Sequence, residues 1–224
     1  MNLTQQQLAE KIEDLACQLR NVSLKIFAHD EVPPIPGFVC SFIRYQATQG
    51  LRIAEWLKQP HVDDVDLIAH ATRGLFESSL LYWHLMKGGG ADFLQNMAAE
   101  LHADHFDTMK AMKAICGGKQ MDKSFERQLS AYAALNLKKT PPIRVLAEEV
   151  GAKEEYITTY SFFSKYTHPT IYQLVGDYHE VFSVEACLIF GDRAAWYLRQ
   201  ILDDSTEILE MVSGHNNDVK SATT

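Results

Sequence analysis

Apolar residues Leu8, Ile12, Leu15, Leu19, Val22 and Ile26 step by fours and threes, which lines them along one face of a helix. The prolines of Glu31-Val-Pro-Pro-Ile-Pro-Gly37 end that element, because each removes a donor and pushes the preceding residue out of helical geometry. A second helix is predicted from about Phe38 to Lys58. A third opens at Pro60 and reaches Lys87, where Gly88-Gly89-Gly90 stops it. Further helices are predicted over about Ala91–Ile115 and Asp122–Leu137, then a short one that starts through Thr140-Pro-Pro and closes at Gly151. A seventh spans about Glu154 to Thr167, bounded by Pro169. The eighth runs from about Tyr178 to Met211 with Phe190, Ala194, Tyr197, Ile201 and Ile208 on one stripe. No alternating β-branched run bounded by hairpin signals occurs, so no sheet is expected. The pattern predicts an all-α, single-domain bundle of about seven to eight helices over residues 1–212 and a flexible polar tail over 213–224.

Composition narrows the function classes. The 224 residues are 46% hydrophobic and 22% charged, with 21 basic against 29 acidic side chains and a net charge of −8. Such a chain lacks the positive field that holds proteins on duplex DNA, so general DNA binding is not expected, although a local basic cleft remains open to it. Cys17, Cys40, Cys116 and Cys187 form no Cys-x-x-Cys pair and read as reduced and mostly buried. No stretch approaches the roughly 18 uncharged apolar residues of a membrane span. With no signal-like N-terminus, a cytoplasmic protein without membrane contact is expected.

The third helix carries the strongest chemistry. At about 100° per residue, Asp66, His70, Arg73, Glu77 and His84 fall within roughly 60° of one another, while apolar residues fill most of the remaining circumference. A helix greasy on nearly all sides belongs in the middle of a bundle. Its polar stripe then faces a solvent channel or other polar groups, because a buried unpaired charge is very costly. Arg73 and Glu77, one turn apart, can pair directly. In the seventh helix Tyr160, Ser164 and His168 recur every four positions. His168 stands at the helix C-terminus, where the dipole favours its protonated form as a proton donor or phosphate ligand.

Ile143-Arg-Val-Leu-Ala-Glu-Glu-Val-Gly151, followed by Tyr156, Tyr160, Ser164 and His168 and preceded by Arg73-x3-Glu77, resembles a prokaryotic helical family of unknown function over residues 65 to 175. That family in turn resembles the HEPN superfamily, many of whose members are ribonucleases of toxin–antitoxin and anti-phage systems that act as dimers. The resemblance implies a HEPN-like bundle, RNA or a nucleotide as substrate, a defence or toxin-type role and a homodimer, for which the long final helix offers a surface. HEPN ribonucleases place a His after an Arg with four to six residues between them. Here Arg20 before His29, Arg52 before His61 and Arg73 before His84 are all too far apart. Catalysis would need Arg73 and His168 from different helices, with His168 as general acid or base and Arg73 stabilising phosphate charge. The candidate catalytic set is thus Arg73, Glu77 and His168, with Tyr160, Ser164, His70 and His84 as candidate substrate-binding residues. The alternative is a non-catalytic helical binding or scaffold module, in which the same residues form a buried polar network for fold specificity.

Other constellations add little. His102 and His105 sit one turn apart beside acidic residues, but the Glu-x-x-His pairs of di-iron bundles are absent, so no metal or cofactor is expected. The triple glycine follows a helix and lacks the Gly-Lys-Ser/Thr ending of a phosphate loop. Ser78 and Ser79 lie in no nucleophile elbow.

Overall fold

The computed structural model describes residues 3–28, 34–58, 64–89, 106–115, 141–167 and 179–222, with single positions at 104, 127, 130 and 131. Among these residues every regular element is helical and no strand occurs. Helix α1 spans Gln5–Phe27, α2 Pro34–Lys58 and α3 Asp64–His84, which continues into a π-helical turn, Leu85–Gly89. Helix α4 spans Ile143–Val150. Helix α5 is the run 153–167, made of Lys153–Glu155, a π-helical turn Tyr156–Tyr160 and Ser161–Thr167. Helix α6 spans His179–Ala222. The stretch 106–115 is also helical; most of the predicted fourth and fifth helices lies outside the described residues.

Helix α1 begins with a capping box. Thr4 Oγ1 accepts from the Gln7 backbone at 3.2 Å, and Gln7 Oε1 accepts from the Thr4 backbone at 2.9 Å. Its predicted apolar face is the buried one, with Leu8, Ile12, Leu15, Leu19 and Ile26 in the core and Val22 at its edge. Helix α2 starts at Pro34, earlier than the expected Phe38. Proline is tolerated there because the first turn's N–H groups have no intrahelical acceptor. Helix α4 is capped by Pro142 without a side-chain bond, and ends as expected at Gly151, whose φ of 84° is the left-handed conformation glycine adopts freely. The expected cap, Thr140, lies outside the described residues. Helix α6 passes the predicted end at Met211 and continues to Ala222, so helical backbone occupies most of the segment read as a tail. Its polar residues include no proline, and Gly214 alone costs about 1 kcal/mol of helix propensity.

Helix α3 lies at the centre, packed by α2, α4, α5 and α6. Val65, Ile68, Leu75, Phe76, Leu80, Tyr82 and Leu85 are all buried along it. Gln46 of α2, fully buried, places Nε2 2.7 Å from Ser78 Oγ, 3.0 Å from Ser79 Oγ and 3.0 Å from the Leu75 carbonyl. The two hydroxyls pass their own protons to helix carbonyls, so the network ties α2 to α3 through the core. No helix among the described residues is long and apolar enough to cross a membrane. Cys40 and Cys187 are buried and Cys17 is exposed; Cys116 lies outside the described residues.

Helices α1, α2 and α6 meet where glycine permits close approach. A Cβ on Gly191 would stand 2.7 Å from Leu8 Cδ2 and 3.0 Å from Leu57 Cδ1. Gly191→Val is therefore expected to destabilise the fold by about 1–3 kcal/mol, seen as a lower urea midpoint. An unchanged midpoint would mean that this three-helix seam yields freely.

Candidate functional site

Arg73 sits midway along α3, facing α5. Its Nε donates to Glu77 Oε1 at 2.8 Å and its Nη2 donates to Tyr160 Oη at 2.6 Å. The guanidinium carbon lies 4.7 Å from the centroid of the Tyr160 ring. Tyr160 stacks on Tyr156 with centroids 4.8 Å apart and planes 21° from parallel. These two tyrosines bound the π-helical turn, whose i→i+5 bonding resets the angular position of everything after it. Beneath them the buried Phe76 ring lies 5.9 Å from Tyr160 and 5.6 Å from Tyr197. An apolar pedestal thus supports a polar clamp joining α3 to α5.

The clamp is close to electrically neutral. Burial alone would lower the Arg73 pKa, but Glu77 and Tyr160 more than offset it, and the guanidinium is held more firmly charged than usual. Burial raises the Tyr160 phenol, and Glu77 raises it further against the opposing pull of Arg73. The hydroxyl therefore stays protonated beside the ion pair. A phosphate approaching Arg73 would have to compete with a carboxylate already bonded at 2.8 Å.

On the other side of Glu77 a groove of about 420 Å³ runs between α2 and α3, lined by Phe42, Tyr45, Gly74, Glu77, Ser78 and Leu81. Burial and then the nearby Glu77 raise the Tyr45 phenol as well. A Cβ on Gly74 would lie 2.6 Å from Tyr45 Oη, so the glycine makes room for that hydroxyl. The sequence reading passed over both Tyr45 and Gly74. Gly74 offered a signal, since a glycine inside a helical pattern marks a close approach, but its partner on α2 is invisible to periodicity.

The other predicted site residues are dispersed. Ser164 Oγ donates to the Tyr160 carbonyl at 3.0 Å, so its hydroxyl serves its own helix. His84 Nδ1 lies 3.1 Å from Glu149 Oε2 and joins α3 to α4. His70 is exposed. His168, the expected general acid or base, lies outside the described residues, as do His102 and His105. The structure thus brings together Arg73, Glu77 and Tyr160, adds Tyr156 and Tyr45, and leaves Ser164, His70 and His84 outside the clamp's own hydrogen bonds. Among the described residues no three His, Cys, Asp or Glu side chains converge as a metal site requires. No family model, curated protein or solved structure matches the chain.

Two outcomes are expected from this geometry. Tyr160→Phe removes one hydrogen bond to a partly solvated cation and should cost about 1 kcal/mol in chemical unfolding, while leaving the ring stack in place. An unchanged stability would mean that water replaces the hydroxyl without loss. At alkaline pH, Tyr45, Tyr82, Tyr160, Tyr166 and Tyr197 all have raised pKa values, with burial the leading cause in each. In the unfolded chain tyrosines ionise near pH ~10, so this contribution to stability is full below that pH and is lost as pH rises above it. Tyrosinate absorbance should show some of the nine tyrosines titrating late and together with unfolding. A single ordinary titration of all nine in the folded protein would contradict this.

Proposed function

We propose that the chain is a non-catalytic helical binding or scaffold module, in which Arg73, Glu77 and Tyr160 form a structural network that sets the register of α5 on the central helix. The observation that carries this reading is the closed geometry of the clamp. Arg73 is bonded on one side to Glu77 at 2.8 Å and on the other to Tyr160 at 2.6 Å. A guanidinium awaiting a phosphate is better served by an open coordination side and by surroundings of positive potential. Here a carboxylate neutralises it within a chain of net charge −8. The resemblance to HEPN proteins fits an all-helical architecture equally well without nuclease chemistry, since one fold hosts unrelated functions.

The test separates stability from chemistry. Arg73→Met and Glu77→Gln should each lower stability by about 1–3 kcal/mol, with the figure discounted because the two side chains are 22% and 32% exposed. A double-mutant cycle between Arg73→Met and Tyr160→Phe should give a coupling of at least about 0.5 kcal/mol. The wild-type chain should neither cleave RNA nor arrest growth when expressed. The opposite result, RNA cleavage or growth arrest abolished by Arg73→Met at an unchanged melting temperature, would overturn the proposal and favour a nuclease acting on RNA or a nucleotide.

A further inference from the structure

A second cavity, of about 760 Å³, opens where the π-helical end of α3, the α4–α5 turn and α6 come together. That volume lies within the range of small-molecule sites. Two tryptophans form its apolar wall: Trp83 of α3 and Trp196 of α6 meet edge to face, with centroids 6.2 Å apart and planes at 70°. Trp83 is fixed by donating Nε1–H to Asp204 Oδ2 at 3.1 Å. Trp196 leaves 42% of its surface open, a large aromatic group that the fold's own packing does not use.

The polar lining has one sign. Glu154 and Glu155 come from α5, Asp204 and Glu207 from α6, and the single lining cation is Lys87. Lys87 Nζ donates to the Val150 carbonyl at 2.7 Å, which holds it on the rim. Glu155 accepts from Tyr197 Oη at 2.6 Å and lies 3.6 Å from Arg193, so its position is set by the scaffold. Desolvation raises the Asp204 pKa; the Trp83 bond opposes this, and the neighbouring Glu207 and Asp203 add to it. An incoming positive charge would relieve that repulsion. Anions, including phosphates, are disfavoured in the same field.

The distribution of carboxylates selects the kind of cation. An inorganic divalent ion needs acidic oxygens converging on one point, and no such convergence of three groups occurs among the described residues. Here the acids are divided between two helices with indole surface beside them. That arrangement suits ammonium groups separated by methylenes, because aromatic faces attract cations and also cover alkyl chain.

We propose that this cavity binds a linear aliphatic polyamine, with its ammonium groups against the acids of α5 and α6 and its methylene chain across Trp83 and Trp196. The site goes beyond the structural reading of the Arg73 clamp and stands or falls separately from it. Spermidine titrated into the full chain at physiological salt, followed by tryptophan fluorescence and calorimetry, tests it. Saturable binding of one molecule per chain is expected. Trp196→Ala and Glu207→Gln should each weaken it about tenfold, the loss of one cation–π contact or one charge partner. Asp107→Asn, an exposed acid outside the cavity, should leave it unchanged. Glu207 is itself exposed, so its variant keeps the test decisive if Trp196→Ala fails to fold. Failure to saturate in the millimolar range, equal affinity in folded cavity variants and wild type, or equally effective displacement by magnesium would each overturn the proposal, since any of them would reduce the effect to attraction by a chain of charge −8.

Discussion

A helix enclosed by other helices must find a partner for every polar group it carries, and α3 is in that position. Water cannot be relied on at Thr72, Ser78 or Ser79, which are buried. Each therefore answers to a carbonyl of its own helix, and Gln46 gathers the two serines from across the α2 seam. Where α3 carries full charges, the same requirement draws α5 inward, because Tyr160 completes the coordination of Arg73. Farther along, it draws α4 toward His84 through Glu149. The placement of three neighbouring helices follows from what the central one cannot leave unpaired.

The polar seams divide in character along α3. The Gln46 network is neutral and dry, whereas the Arg73 clamp is ionic and sits at the solvent margin. Neutral networks hold register with little dependence on salt. Exposed ion pairs contribute little individually and gain their value from the aromatic groups that fix their geometry. Here Phe76 and Tyr156 supply that support. The α6 end of the molecule follows a different rule, with its acids left facing a void instead of being paired off.

Much of the architecture could be read from periodicity. The stripe through Leu8 to Ile26, the stops at Gly88–Gly90 and Gly151, and the central character of the third helix all rest on residues whose neighbours are local in sequence. The start of α2 and the extent of α6 were misplaced because proline is permitted in a first turn and a polar segment can remain helical without an apolar face. At the site, Arg73–Glu77 was legible as an i, i+4 pair and Tyr160 as a polar position on the right helix. Tyr45, Gly74 and the Trp83–Trp196 contact were not. Each depends on a crossing between helices distant in the chain, which no single-helix period encodes.

The π-helical turns give this fold a particular sensitivity to chain length. A π turn holds one more residue than the α turn it replaces, and each residue advances a helix by about 100°. Loss of one residue within Tyr156–Tyr160 could be absorbed as ordinary α-helix, with the backbone bonds intact. The segment Ser161–Thr167 would nonetheless arrive rotated by about that angle, carrying the buried Phe163 away from Phe190 and turning a different face toward α3. The turn therefore acts as a phase setter: it allows Tyr160 to face Arg73 and Phe163 to face the core within one short helix.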